Sequence, residues 1–415
     1  PDGRARRTPE RAGVLGAGVM GRAIASLLAE RGVAARLFDV VPAALDVALL
    51  EHRRDAAAAA KKRRTPRHET TQVIDRLDVA RELQGFGRCG IVIEAVAEKL
   101  EVKRSVFGEI ARQVGPDAIL ATNTSSLSVD EIAEGIPGPE RVVGMHFFNP
   151  VKKMPLVEIV RGRRTSPDAV AACAGLAVHL GKTPVVVADV AGFLVNRLLG
   201  PYLDESLRML AGGIDPLRID KALEAFGMPM GPLALLDEVG LDIATHAAAS
   251  LHAAYGERMT PSDFLEPMVR EKMLGKKTGR GFYVHAPGAR RGGKRALNPV
   301  LARLLPAPSI PPLTDEEIAD RAVLAMLNEG VRALEEEVVL TPRELDLATV
   351  FGMGFPPFRG GLLRFADTLG VHAVVERTMR IANAPDVASR PGGRERFEPA
   401  DSLAAMARKL STFHA

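Results

Sequence analysis

Residues 12–32 read AGVLGAGVMGRAIASLLAERG, and this stretch decides the fold. A short apolar run ends in Gly16-Ala17-Gly18-Val19-Met20-Gly21, and an amphipathic helical pattern over 23–32 follows at once. A second apolar run, ARLFDV (35–40), carries Asp39 near its end. Strand, glycines, helix and a strand ending in an acid is the order in which an open α/β sheet binds a dinucleotide. Gly16 permits the tight turn, Gly18 lets a pyrophosphate approach the backbone, and Gly21 lets the helix pack on the strand. The helix N-terminus offers its N–H groups to phosphate. Asp39 can accept a hydrogen bond from a ribose 2′-OH and would repel a 2′-phosphate, so NAD is the expected cofactor. The competing reading is a tight βα turn with no ligand.

Further strand signals are IVIEAV (91–96), AILATN (118–123), VVGMHFF (142–148), LVEIV (156–160) and TPVVVAD (183–189). Helical patterns such as KLEVKRSVFGEIARQVG (99–115) separate several of them. Apolar strands alternating with helices predict a Rossmann-type, doubly wound, mostly parallel sheet. After residue 189 the strand signals largely stop and the chain reads as helices punctuated by Gly and Pro. That half repeats itself. RLLGPYLDESLRML (197–210), IDKALEAFGM (219–228) and GPLALLDEVG (231–240) are echoed by RAVLAMLNEGVRAL (321–334), LDLATVFGM (345–353) and GGLLRFADTLG (360–370). The expected organisation is a linker (1–11), an NAD-binding domain (12–189), a helical domain (190–290), a basic Gly-rich connector (291–315) and a duplicated helical domain (316–412).

With 415 residues, 47% hydrophobic and 26% charged, the chain can bury several cores. No apolar run is long enough to span a bilayer. Cys89 and Cys173 sit in no metal or redox spacing, which points to a reducing compartment and away from metal chemistry. The net charge of +4 is small, aromatics are 4%, and no nucleic-acid-binding motif appears, so nucleic acid is a poor partner. PDGRARRTPER, at the start, reads as a linker rather than an Arg-rich transit peptide, because it contains Asp2 and Glu10 and has no apolar face. The chain is therefore expected to be the C-terminal part of a longer protein. There is no signal-peptide pattern, and the last residues, FHA, are not a peroxisomal SKL address, so a cytoplasmic location is expected.

The chemistry is concentrated in GMHFFNPVKKMPLVE (144–158). His146 ends one apolar run and Glu158 lies inside the next. On successive buried strands the two can face each other, and a carboxylate partner makes an imidazole basic enough to take a proton from an alcohol. A buried carboxylate is costly unless paired. The plain alternatives are a satisfied core histidine and a structural salt bridge from Glu158 to Arg161.

Taken together, GAGVMG, EAVAEKLEVK, NTSSLS, HFFNPVKKMPLVEIV, GFLVNRLLGPY, GPLALLDEVGLD and GKKTGRGFY resemble the 3-hydroxyacyl-CoA dehydrogenase family. The duplicated tail with GFPPFRGG resembles the dehydrogenase part of multifunctional fatty-acid oxidation enzymes of the alpha-subunit type. The resemblance implies oxidation of (S)-3-hydroxyacyl-CoA to 3-oxoacyl-CoA with NAD in β-oxidation. It implies His146 as general base, Glu158 as its partner, Ser125 on the substrate oxygen and Asn196 holding the substrate. For NAD it points to Met20, Asp39, Glu98, Lys103, Ser125 and Asn149, while Val96 and Ala97 follow the fourth strand, at the carboxyl edge where a cofactor lies across an open α/β sheet. It also implies an acyl-CoA substrate, a fused N-terminal enoyl-CoA hydratase domain and a thiolase partner.

Blander readings stand beside these. NTSSLS could be a helix N-cap, Asn196 could brace a helix turn, and Lys103 could be a solvated helix face. The run Lys61-Lys62-Arg63-Arg64 reads as a solvated helix end, although the family sets basic residues of this region against CoA. The second copy has Asp320 where the first has Asn196, and it lacks the GF.VNR lead-in. It is expected to be catalytically silent and to stand in for the partner subunit of single-copy relatives, a pseudo-dimer within one chain. Phe397 lies where multifunctional relatives carry a tyrosine. Rival functions are the same chemistry run as an acetoacetyl-CoA reductase, a decarboxylating hydroxyacid dehydrogenase, which would need a catalytic lysine, and a non-catalytic NAD-binding protein.

Overall fold

The apolar runs pair into one eight-stranded sheet: β1 (Arg11–Leu15), β2 (Ala34–Phe38), β3 (Leu77–Ala80), β4 (Ile91–Glu94), β5 (Ile119–Thr122), β6 (Val142–Phe147), β7 (Leu156–Arg161) and β8 (Thr183–Ala188). The computed structural model describes residues 8–63, 65–285 and 296–414. Most of the N-terminal linker, Arg64 of the basic run and the first part of the connector therefore lie outside the described residues.

Strand order is β3-β2-β1-β4-β5-β6-β7-β8. All neighbours are parallel except β6 and β7, which run antiparallel. The cause is length: the link 148–155 is too short for a parallel crossover, which needs about a dozen residues. The reversal places His146 directly opposite Glu158 in the register. β4, β5 and β6 are buried along their whole length, as central strands covered on both faces must be. α1 (Val19–Glu30), α2 (Pro42–Arg63), α3 (Arg67–Asp75), α4 (Leu100–Ile110), α5 (Val129–Ile132) and α6 (Pro167–His179) complete this unit. The sequence patterns gave no sign of β3. It is a four-residue edge strand, LDVA, with half-buried Asp78 and Val79, so neither an apolar run nor a clean alternation marks it.

Contacts divide the chain into Pro1–Phe193 and Leu194–Ala415. The second unit is helical and holds both copies of the repeat. The first copy contains α7 (Val195–Ala211), α8 (Pro216–Phe226), α9 (Pro232–Val239), α10 (Leu241–Tyr255) and α11 (Leu265–Arg270). The second contains α12 (Asp315–Glu335), α13 (Pro342–Ala348), α14 (Leu362–Leu369) and α15 (Val371–Ala382).

The copies share one polar frame. Asp220 on α8 accepts from the N–H groups of Leu233 and Ala234, the first turn of α9 (2.9 and 3.2 Å). Asp237 then accepts from Phe282 and Tyr283 (2.9 Å each), and the Tyr283 hydroxyl donates back to Asp220 at 2.7 Å. In the second copy Asp346 accepts from Leu363 and Arg364 (2.7 and 3.1 Å), and Asp367 accepts from Phe413 and His414 (2.7 and 3.0 Å). His414 Nε2 closes the circuit on Asp346 at 2.8 Å. The repeat thus reaches the chain's last described residues.

Between copies, α7 packs along α12. Buried Glu329 of α12 meets Arg197 and Arg258 of the first copy (2.7 and 3.0 Å). Its counterpart on α7, buried Glu205, meets Arg390 and, at 2.7 Å, Arg396 of the second. Each copy offers a glutamate and receives the other's arginines, the reciprocal pattern of a two-fold interface. Burial alone would raise the Glu205 carboxyl, but the two guanidiniums outweigh it and hold it below the usual carboxylate range.

Candidate active site

The glycine loop matches its chemistry. Gly16 has φ +98°, and a Cβ there would lie 2.6 Å from the Ala95 carbonyl oxygen. A Cβ on Gly21 would lie 1.8 Å from the Gly16 oxygen, so helix α1 can approach the strand only without one. Around Gly18 nothing lies within 4 Å of an added Cβ. That open cradle at a helix N-terminus, with no acidic residue in the first turn, fits a dinucleotide's pyrophosphate. Asp39 accepts from Ala17 N–H at 2.6 Å and Val41 N–H at 2.8 Å, which fixes its carboxylate beside the loop. Met20 is half-buried against the core.

At the far end of β6 the imidazole of His146 is buried, with Nδ1 2.8 Å from Glu158 Oε2. Glu158 is fully buried and Arg161 is exposed, so the acid's partner here is the histidine. With Nδ1–H donated to the carboxylate, Nε2 is the ring's proton acceptor. Phe148 and Phe193 lie against the ring, with centroids 4.5 and 5.8 Å away.

Beside it, the NTSSL loop is organised by Glu98. Its Oε1 accepts from Thr124 Oγ1 (2.5 Å), Ser125 N–H (2.9 Å) and Ser126 N–H (3.3 Å). Burial would push this carboxyl up, but the Lys103 ammonium and the Thr124 and Ser125 hydrogen bonds hold it below its ordinary range. Ser125 is exposed and its neighbour Asn123 accepts from Phe147 N–H at 2.9 Å, tying the loop to β6. The N-cap role in NTSSLS belongs to Ser128, which accepts from Glu131 N–H at 3.2 Å.

Lys103 departs from its reading as a solvated helix face. It is 1% exposed, and its ammonium lies 2.8 and 3.1 Å from the two oxygens of Glu94 and 3.1 Å from Glu98. Its side chain is thus no solvated helix face, and it acts on the loop through Glu98. Glu94 went unread in the sequence. It is fully buried and also accepts from Thr122 Oγ1 and Val96 N–H at 2.7 Å. A carboxylate inside the apolar run IVIE was the available signal, the same one that exposed Glu158. Val96 is half-buried, while Ala97 and Asn149 are exposed. Asn196 lies in the second unit, at the start of α7. Phe397 is fully buried. Asp320 is held by Arg377 at 3.0 Å. Among the described residues no helix is long and apolar enough to cross a membrane.

An open sheet in the 3-2-1-4-5-6 order with a glycine cradle, an acid closing the second strand and a carboxylate-braced histidine defines a nicotinamide-dependent dehydrogenase. The sequence models described as "3-hydroxyacyl-CoA dehydrogenase, NAD binding domain" and "3-hydroxyacyl-CoA dehydrogenase, C-terminal domain" match residues 11–190 and 192–285. The chain belongs to the 3-hydroxyacyl-CoA dehydrogenase family, and its cofactor is NAD. Three solved relatives frame it. 3-Hydroxybutyryl-CoA dehydrogenase from Escherichia coli K12 is 26% identical, with 96% of this chain and 98% of that one covered and a TM-score of 0.82. (S)-3-hydroxybutyryl-CoA dehydrogenase from Ralstonia eutropha is 34% identical over 67% of this chain and 99% of its own, TM-score 0.65. The dehydrogenase part of multifunctional enzyme 1 from C. elegans is 26% identical over 95% and 89%, TM-score 0.67.

Proposed function

We propose that the chain oxidises (S)-3-hydroxyacyl-CoA to 3-oxoacyl-CoA in fatty-acid β-oxidation. The observation that carries this reading is the 2.8 Å contact between His146 Nδ1 and buried Glu158. Glu158 holds the tautomer in which Nε2 takes the proton of the 3-hydroxyl, and its charge stabilises the imidazolium that forms. Ser125 hydrogen-bonds the substrate oxygen, and Asn196 holds the substrate. Bound NAD supplies the hydride acceptor. Gly16, Gly18 and Gly21 with the α1 N-terminus hold its pyrophosphate and Asp39 its ribose, while Met20, Val96, Ala97, Glu98, Ser125 and Asn149 border the rest. Lys103 serves that border through Glu98.

The likeness along nearly the whole chain to the dehydrogenase part of a multifunctional enzyme supports a further fused domain, for which a hydratase is the expectation. The reciprocal Glu205 and Glu329 clusters support a pseudo-dimer, and Asp320 in the place of Asn196 supports a catalytically silent second copy. Ending the chain at about residue 300 should expose the α7 face and cause self-association. A truncated protein that stays monomeric and fully active would refute that arrangement.

The test of function is NADH formation from (S)- but not (R)-3-hydroxybutyryl-CoA, and NADH consumption with acetoacetyl-CoA. His146→Ala should lower turnover by roughly 10²–10⁴-fold. Equal use of both enantiomers, or an active His146→Ala protein, would defeat the proposal.

A further inference from the structure

The link 148–155 between β6 and β7 opens with Phe148 and Asn149 and then makes one tight turn. Pro150 O accepts from Lys153 and Met154 N–H at 2.8 and 3.0 Å. Two further carbonyls of this turn point inward, and one side chain meets both: Lys182 Nζ donates to Val151 O and, at 2.8 Å, to Met154 O. Lys182 is 8% exposed and directly precedes β8, where Thr183 N–H donates to Pro155 O at 2.8 Å. The turn's next residue reaches the other way. Lys152 Nζ lies 2.6 Å from Glu30 on α1 and 2.9 Å from Asp55 on α2. Ser26 Oγ donates to Glu30 at 3.2 Å and meets the buried His52 ring at 2.9 Å, which ties that acid into the packing of α1 on α2. α1 is the helix that opens at the glycine cradle.

We propose that Lys182, aided by Lys152, is a positioning residue for the dinucleotide: the two ammoniums clamp the β6–β7 turn from inside and outside and so fix Asn149 relative to α1. The inference rests on the reading that Asn149 borders the bound cofactor. Lys182 is too buried to touch a ligand, and its effect passes through the backbone it holds. Without the ammonium, two inward carbonyls lose a charged donor, and the turn must shift to find water. Lys152 is about one-third exposed, so water replaces part of its contribution.

The test uses the full chain with Lys182→Met, Lys182→Arg, Lys152→Met and, as reference, Asn149→Ala. NADH affinity is read by fluorescence titration. Amide hydrogen exchange over 149–154 is read in the protein without cofactor. Lys182→Met should weaken NADH binding about tenfold and speed exchange in the turn. It should raise KM for NAD more than KM for the acyl-CoA, with Lys182→Arg recovering part of the loss and Lys152→Met shifting affinity less in the same direction. If Asn149→Ala weakens NADH binding while Lys182→Met binds within about twofold of the parent, the clamp is wrong and the cofactor reading of Asn149 survives. If Asn149→Ala binds NADH as the parent does, that reading fails and takes the clamp with it. Should Lys182→Met not fold, unchanged affinity and exchange in Lys152→Met overturn the proposal.

Discussion

At the scale of single residues, burial decides which carboxylates matter. A fully buried acid must be paired, because desolvating it alone costs more than a domain's marginal stability can absorb. Glu158 has the His146 imidazole, and Glu94 has Lys103, Thr122 and a backbone N–H. Glu158→Gln therefore probes charge and tautomer together. The carboxamide can donate its N–H to Nδ1, which would leave the proton on Nε2 and remove the acceptor. Turnover should fall by roughly 10²–10⁴-fold, while NADH affinity, read by fluorescence, stays near that of the parent. Glu158 was legible because a lone acid interrupts an apolar run twelve residues after a histidine. Glu94 carried the same mark. What could not be read was the partner of Lys103: helix periodicity places that lysine on α4 but does not reveal that its ammonium turns inward to two acids.

Among elements, the glycine loop and the NTSSL loop give opposite tests. Gly18 and Gly21 look alike in a motif, yet their surroundings differ. Gly18→Ala meets open space, so stability should change by no more than about 0.5 kcal/mol while the methyl group obstructs the pyrophosphate and weakens NADH binding. Gly21→Ala places a methyl 1.8 Å from a carbonyl oxygen and should lower the melting temperature before any ligand is added. Calorimetry with and without NADH separates the two. The NTSSL loop depends instead on Glu98, whose folded carboxyl is held below its ordinary value by Lys103 and the loop's own donors, against the cost of burial. The sign follows from linkage: a depressed acid stabilises above its unfolded pKa, and that contribution is lost as pH falls through the lower, folded value. Amide protection at Ser125 and Ser126 should therefore persist through the ordinary glutamate titration range and disappear only in more acidic solution. Glu98→Gln should weaken protection already at neutral pH and abolish the acid transition. The strand and helix order behind both loops was readable from apolar runs and glycines. β3 was not, because a short edge strand with half-buried polar positions lacks either period.

On the scale of the whole chain, duplication was visible as repeated motifs, but the ion pairs that join the copies were not. They connect residues 71 or more positions apart, and no local pattern encodes such a partner. The family models match residues 11–190 and 192–285, and the second copy lies beyond them. The two copies also break symmetry at equivalent arginines. Arg197, fully buried and one residue after Asn196, crosses to the second copy, donating to Glu329 and Glu336 at 2.7 Å each. Arg321 stays within its own copy and pairs with Asp386 at 2.5 Å. Losing Arg197 leaves buried Glu329 short of a cation, whereas losing Arg321 does so only for half-buried Asp386, so Arg197→Met should destabilise the second unit by about 3–5 kcal/mol at most and Arg321→Met by less, measured by chemical denaturation. Only Arg197→Met should also reduce turnover in the protein that remains folded, because Arg197 anchors the end of α7 that carries Asn196. An Arg321→Met enzyme as impaired in turnover as Arg197→Met would mean that the second copy acts on catalysis by a route other than holding α7, and the pseudo-dimer account would have to be abandoned.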